Sequence, residues 1–315
     1  MNILVTGANG FVGKALVLAL LRKRGVKVSA TARQIFKLPE ECEFHIASLD
    51  LDNNWTNALR DCDTVVHVAA RVHILRDRHT ETLSTFSTVN TGGTLHLARQ
   101  AVKAGVKRFV FVSSIKVNGE ATKSDAFFTA DDIPKPTDEY GVSKWEAEQG
   151  LMQLAADTKM EVVIIRPPML YGPNVKGNFA KLATLIAKGI PLPLAMVKNQ
   201  RSFMALDNLV DLILTCIDHP KAANQIFLAS DAQDLSTPEL LNRMANAMRR
   251  NIILFPFPLP LLNLSATIIG KKNEANSLLG SLRLDISKTR DVLDWSPVID
   301  VEEGLRRCFV KKRQS

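Results

Sequence analysis

Residues 3–13 read Ile3-Leu4-Val5-Thr6-Gly7-Ala8-Asn9-Gly10-Phe11-Val12-Gly13, and this stretch decides the fold. Ile3–Val5 is a short apolar run of strand type, and Phe11–Lys23 carries apolar residues in a helical pattern. The glycines between them make a GxxGxxG turn from strand to helix. Gly7 permits the tight turn, Gly10 lets backbone approach a pyrophosphate, and Gly13 lets helix and strand pack closely. A helix N-terminus adds free N–H groups and a partial positive charge, which suit an anion. The stretch predicts a nucleotide-binding unit at the start of the chain.

Outward from this turn, β-branched runs alternate with amphipathic ones. Val26–Thr31, Thr64–Val68, Arg108–Val112 and Val162–Ile165 predict strands, while Ser84–Ala104 and Glu139–Ala156 predict helices. Such alternation implies an α/β fold with a Rossmann-type doubly wound parallel sheet. After Arg166 the order changes, with Pro and Gly clustered between Pro167 and Pro193, and the remainder reads as mainly helical. We expect residues 1–166 to form a dinucleotide-binding domain with a returning segment near 203–230. Residues 167–202 and 231–315 should form a smaller substrate domain.

Composition narrows the function. The chain has 315 residues, 46% apolar and 23% charged, which excludes a disordered chain. Forty Lys+Arg against 32 Asp+Glu leave a charge of +8, which suggests an anionic ligand. No basic stripe is interleaved with aromatics, and only 6% of residues are aromatic, so a nucleic-acid partner is not expected. Cys42, Cys62, Cys216 and Cys308 form no CxxC pair and read as reduced thiols. His67, His73, His79 and His96 lack the HExxH spacing, so no metal is expected, and His67 reads as a core imidazole. No apolar stretch reaches the roughly 18 residues of a membrane span, and no secretory signal is read, so a cytoplasmic location is expected. Phe255–Lys272 is apolar with a basic edge and leaves membrane contact open, with packing over the substrate domain as the favoured reading.

The chemistry gathers around one of only two tyrosines. Tyr140 and Lys144 form a YxxxK motif, and a spacing of four puts both on one helical face. A neighbouring ammonium favours phenolate, so Tyr140 can exchange a proton with a hydroxyl. Upstream, Val110–Val112 leads into Ser113 and Ser114, serines at the carboxyl end of a predicted strand, where parallel sheets place their chemistry. Ser114 would hydrogen-bond the reacting oxygen. At the end of the second strand, Ala32-Arg33 stands where an NAD site usually places an acid about 20 residues past the glycines. A guanidinium there can pair with a 2′-phosphate, so NADP(H) is favoured and NAD(H) is also admitted.

These motifs resemble the extended short-chain dehydrogenase/reductase family, in its nucleotide-sugar epimerase, dehydratase and reductase branch. The likeness rests on TGANGFVG (6–13), HVAA (67–70), VNTGGT (89–94), FVFVSS (109–114), YGVSK (140–144), RPPMLYGP (166–173) and RSFMALDNLVDLI (201–213). The resemblance implies Ser114, Tyr140 and Lys144 as the catalytic trio. It implies a cofactor site from Gly7, Asn9, Gly10, Phe11, Val12, Gly13, Arg33, Asp50, Leu51, Ala69, Ala70, Asn90, Tyr140, Lys144 and Pro167. It implies substrate contacts from Ser114, Tyr140, Met169, Asn178 and Arg201, the last two at a nucleotide diphosphate. A homodimer through Ser84–Ala104 and Glu139–Ala156 is implied in the same way.

Within that family, 4,6-dehydratases carry an Asp-Glu pair after the catalytic serine or threonine. Ile115-Lys116 stands there instead, which argues against dehydration. Ala32-Arg33 then favours NADPH-dependent reduction of a UDP-4-keto-6-deoxy-N-acetylhexosamine in surface-polysaccharide synthesis. The alternative is 4-epimerisation of UDP-glucose or UDP-N-acetylglucosamine with retained NAD, or of a sugar on a polyprenyl diphosphate. A non-catalytic cofactor-binding regulator is disfavoured because Tyr140 and Lys144 are both present.

Overall fold

The protein is described from a computed structural model covering residues 1–71, 87–123, 125–268, 270 and 272–309. Seven strands form one parallel sheet: β1 (Asn2–Thr6), β2 (Lys27–Ala32), β3 (Cys42–Ile46), β4 (Thr64–His67), β5 (Arg108–Val112), β6 (Glu161–Arg166) and β9 (Gln225–Leu228). Their order is β3-β2-β1-β4-β5-β6-β9, so the sheet reverses direction of growth at β1. Val5 lies opposite Ala30 on one side and Val66 on the other. Ligands of such sheets bind at this switch point, outside the carboxyl ends of the strands.

The strands are continuous apolar runs because both faces are covered. On one face, α1 (Phe11–Leu20) and α5 (Leu206–Asp218) bury Leu16, Val17, Leu209 and Ile213 against Val5, Ala30 and Val66. On the other, α2 (Gly93–Lys103) and α3 (Glu139–Asp157) bury Leu97, Ala101, Ala147 and Leu151 against Leu4, Val65 and Phe109. A six-residue π-helical stretch, Ser87–Gly92, leads into α2. Of the predicted helix Ser84–Ala104, residues 84–86 lie outside the described residues.

The region after Arg166 contains more strand than its pattern predicts. β7 (Met169–Tyr171) and β8 (Phe203–Ala205) pair in parallel as a small second sheet, and β9 joins the large one. Each has only three or four residues, too few to show a period of two. A third core gathers Tyr171, Phe179, Ile186, Leu194, Leu241, Met244 and Leu305. It is built from β7, β8, α4 (Asn178–Ala187), α6 (Thr237–Ala247), α7 (Leu259–Ile268), α8 (Lys272–Leu279) and α10 (Val301–Phe309), with α9 (Ser287–Leu293) completing the set. Ser236 and Glu239 cap α6 reciprocally, which satisfies two of its first amides.

A buried polar knot ties this third core to the sheet. The Tyr171 hydroxyl donates to Asp231 at 2.6 Å. The Asp231 carboxylate also accepts from the Ala205 amide and the Asn208 side chain. Asn208 in turn donates to the Ile299 carbonyl and accepts from the Val298 and Ile299 amides. With 1% of its surface exposed and its ring stacked on Phe179, Tyr171 belongs to the core.

Candidate functional site

The glycine turn closes as its spacing demands. Gly7 has φ +67°, and a Cβ there would come within 2.8 Å of the Ala69 Cα. A Cβ on Gly13 would stand 2.3 Å from the Gly7 carbonyl oxygen. No side chain caps the first amides of α1, so they face the space above the turn. Strand ends, small residues and open amides fit the pyrophosphate of a dinucleotide. Gly13→Ala is expected to push α1 away from β1 and abolish retention of that dinucleotide. Nucleotide released on acid denaturation of the purified variant measures this.

Beneath the turn, His67 bridges the layers. Its Nδ1 pairs with Thr6 Oγ1 at 2.7 Å and its Nε2 with Thr94 Oγ1 at 2.9 Å. Burial, with Lys144 nearby, holds its pKa down at about 3, so the ring is a neutral imidazole in the core, as its sequence suggests. Ala69 donates its amide to Thr6 Oγ1, which seats it behind Gly7. Asn90 is buried and fully engaged: it accepts from the Arg71 amide and donates to the Arg71 carbonyl and to Ser143 Oγ. It therefore ties the chain after β4 to the helix that carries Tyr140. Arg33 and Asp50 are exposed near the ends of β2 and β3, and Leu51 lies over Gly92. Asn9 is exposed beside Gly10, Phe11 and Val12 open α1, Ala70 follows Ala69, and Pro167 is buried after β6.

The elements that carry Ser114, Tyr140 and Lys144 meet where β5 ends. Ser114 leaves the sheet in extended conformation and its Oγ caps the 3₁₀ turn Ile115–Val117. The Pro167 carbonyl accepts from the Ile115 amide, locking this turn to the chain after β6. Tyr140 and Lys144 lie one turn apart on α3, whose N-cap is Asp138. Lys144 has 2% of its surface exposed, and its Nζ lies 4.0 Å from the centre of the Phe111 ring, a cation–π contact. Burial lowers its pKa to about 7, while the charge of Glu148 works upward. Burial pushes the Tyr140 phenol above its usual range, and Asp138 adds to this. Ser113 Oγ is buried with no hydrogen-bond partner among the described residues, as suits a wall that receives a polar group.

Two charge pairs frame this trio, and neither was read from the sequence. Glu148 and Arg166 form a fully buried bidentate pair, with Arg166 NH1 also donating to Asn118 Oδ1. Glu148 follows Lys144 by four residues on α3, so its helical spacing was the available signal. Lys116, in the turn after Ser114, pairs with Asp138, which in turn accepts from the Gly141 amide at 2.7 Å. An Asp just ahead of a helical stretch is an N-cap signal, yet only the fold brings Lys116 to it.

On the far side, Arg201 is 8% exposed and donates to the Gly280 carbonyl at 2.8 Å. Among the described residues no carboxylate pairs with it, and burial lowers its pKa to about 10. A buried cation with no counter-charge is able to receive an anion. Asn178 starts α4 after Gly177, and Met169 is half-buried in β7. The tail cations Arg306 and Arg307 are neutralised by Glu303 and Asp207, so they do not carry the surplus positive charge.

A glycine turn at the sheet's switch point beside a Ser–Tyr–Lys trio is the arrangement of a short-chain dehydrogenase/reductase type of enzyme. Residues 3–229 match the NAD dependent epimerase/dehydratase family, and the chain belongs to it. A UDP-glucose 4-epimerase of Vibrio cholerae is 44% identical over 307 residues, covering 97% of this chain and 94% of its own. A crystal structure of UDP-glucuronic acid 4-epimerase from Bacillus cereus in complex with NAD superposes with a TM-score of 0.78 at 20% identity, covering 98% of this chain and 97% of that one. UDP-glucose 4-epimerase from Thermotoga maritima, solved with UDP-glucose, gives 0.78 at 22% identity over 98% and 97%.

Proposed function

We propose that the protein is a UDP-hexose 4-epimerase that retains its dinucleotide through turnover. The observation that carries this reading is the 44% identity, over nearly the whole chain, to the Vibrio cholerae UDP-glucose 4-epimerase. It takes the place of net C4 reduction, the reading that Ala32-Arg33 alone favours. Arg33 bears on which dinucleotide is held, not on whether it is exchanged.

In this reading the third core is the substrate lobe, and residues 1–166 with the segment near 203–230 hold the dinucleotide. Gly7, Gly10 and Gly13 seat its pyrophosphate, and Arg33 its adenosine ribose. When bound, the dinucleotide would supply a reversible hydride acceptor for C4. Tyr140 takes the C4 hydroxyl proton and later gives it back, so the net proton count is zero. Ser114 hydrogen-bonds the C4 oxygen and Lys144 stabilises the phenolate. Arg201 faces the substrate diphosphate, with Asn178 and Met169 along the sugar path. The homodimer implied by resemblance uses α2 and α3, and light scattering of the purified protein tests it.

Epimerisation is tested with UDP-glucose and UDP-N-acetylglucosamine and no added cofactor, following products by NMR. The expected result is approach to an equilibrium of C4 epimers without net change in reduced nucleotide. Stoichiometric consumption of NADPH on a UDP-4-keto sugar, with no epimer formed, overturns it. Arg33→Asp is expected to weaken NADP binding about 10–100-fold, the size of one charge-assisted hydrogen bond, with little effect on NAD. Calorimetric titration of the stripped protein with each dinucleotide reads this.

Lys116 tunes the same proton. Asp138 opposes ionisation of Tyr140, and Lys116 offsets Asp138. Lys116→Met should move the Tyr140-linked limb of the pH–kcat profile to higher pH. Asp138→Asn should move it lower while keeping the helix cap, since Asn caps as well as Asp. The double variant should return near the parent; a lasting loss there means that Lys116 acts through structure alone.

A further inference from the structure

Two segments of the chain are basic and free of acids. Residues 174–206 and 240–273 hold ten of the forty Lys and Arg residues and none of the 32 Asp and Glu residues. These two segments carry +10, so the remaining chain carries −2 and the whole +8. Among the described residues, Arg201 of these cations lies in the candidate substrate site and Arg243 pairs with Glu302.

The two segments meet side by side. The backbone of Leu192 exchanges hydrogen bonds with Ile253 and Phe255, which lays 190–196 beside 252–255. Along the second segment the side chains alternate: Leu254 packs on the third core while Ile253 and Phe255 are 60% and 39% exposed. α7 continues this division. Leu259 and Leu262 pack inward, and Leu261, Leu264 and Ile268 face out, 52%, 57% and 75% exposed, at helical spacing. Ile190 and Met196 are exposed on the first segment. Lys188, Lys198, Arg249 and Arg250 are exposed in the adjoining chain, with no carboxylate partner among the described residues.

We propose that this face docks the protein on an anionic lipid bilayer, its apolar side chains entering the interface and its cations meeting the headgroups. A second copy of the chain is a poor occupant, because a two-fold contact would set two basic faces against each other. A nucleic acid is also poor, because the protruding side chains are aliphatic apart from Phe255 and offer no stacking platform. A bilayer supplies both the negative surface and the apolar layer. The proposal is independent of which sugar nucleotide the site accepts.

Flotation of the full chain with vesicles tests it. With phosphatidylcholine containing phosphatidylglycerol, the protein is expected to float at low salt and to be released as salt rises. With phosphatidylcholine alone it should remain at the bottom of the gradient. Reversing Lys188, Arg249 and Arg250 to Glu should lower partitioning at least about 100-fold, since each cation near the surface is worth about fivefold. Ile253→Glu with Leu264→Glu should lower it at least about tenfold. Both variants alter only exposed side chains, so circular dichroism and thermal midpoint should match the parent. Three results overturn the proposal: no flotation with either vesicle, variants that float like the parent, or an apolar-face variant that turns a dimer into a monomer while still floating.

Discussion

Tyr140→Phe is expected to reduce kcat about 10²–10⁴-fold, the contribution of one positioned proton-transfer group. The change removes one oxygen and keeps the ring that fills the site. Folding and dinucleotide content should be unchanged, and KM for the UDP-sugar should move little. Rapid-mixing fluorescence should show the hydride step slowed, because alkoxide formation at C4 and hydride departure need the same proton acceptor. The size of the loss depends on how far the protein lowers the barrier to ionising Tyr140. Burial acts against it, with Asp138 in addition. Ionisation therefore has to be coupled to Lys144, one turn along α3. Turnover in the Phe variant equal to the parent removes Tyr140 from the mechanism.

Glu148→Gln is expected to have the largest effect on stability, about 3–5 kcal/mol lost, because it leaves Arg166 charged and unpaired in a site almost closed to water. Denaturant unfolding measures this through a lower midpoint at constant slope. The same substitution has a second readout. Lys144 is held at about 7 by burial while the Glu148 carboxylate pulls upward. Without that carboxylate its pKa falls further, so Lys144 loses its proton at lower pH. The alkaline limb of the pH dependence of kcat/KM, set by loss of the charged ammonium, should therefore move to lower pH. A merely structural pair would lose stability and leave that limb in place. Glu148→Asp should restore part of both, since the charge returns on a shorter arm.

The parts legible in the sequence were those governed by local rules. β5 runs Arg108–Val112 as its β-branched and aromatic pattern predicts, and α3 runs Glu139–Asp157, one residue beyond the predicted end. The glycine turn was legible because each glycine answers a steric demand that acts over a few residues. The short strands β7, β8 and β9 were not, because three or four residues cannot display a period and their pairing comes from tertiary contact. The same limit hid the charged frame of the site. Arg166 and Glu148 are 18 residues apart and Lys116 and Asp138 are 22 apart, and no local rule joins such pairs. The Ala32-Arg33 pair shows a different limit. It bears on a ribose substituent, and the net reduction it favours is less well supported than epimerisation, which likeness over the whole chain carries.

The polar knot of Tyr171, Asp231 and Asn208 has a mechanical consequence. Hinge rotation between the substrate lobe and the sheet would pull on buried hydrogen bonds that water cannot replace. The knot therefore resists rotation of the lobe against the sheet. The proposed epimerisation would require the sugar intermediate to turn over within the site. A scaffold braced in this way would leave that rotation to the sugar itself.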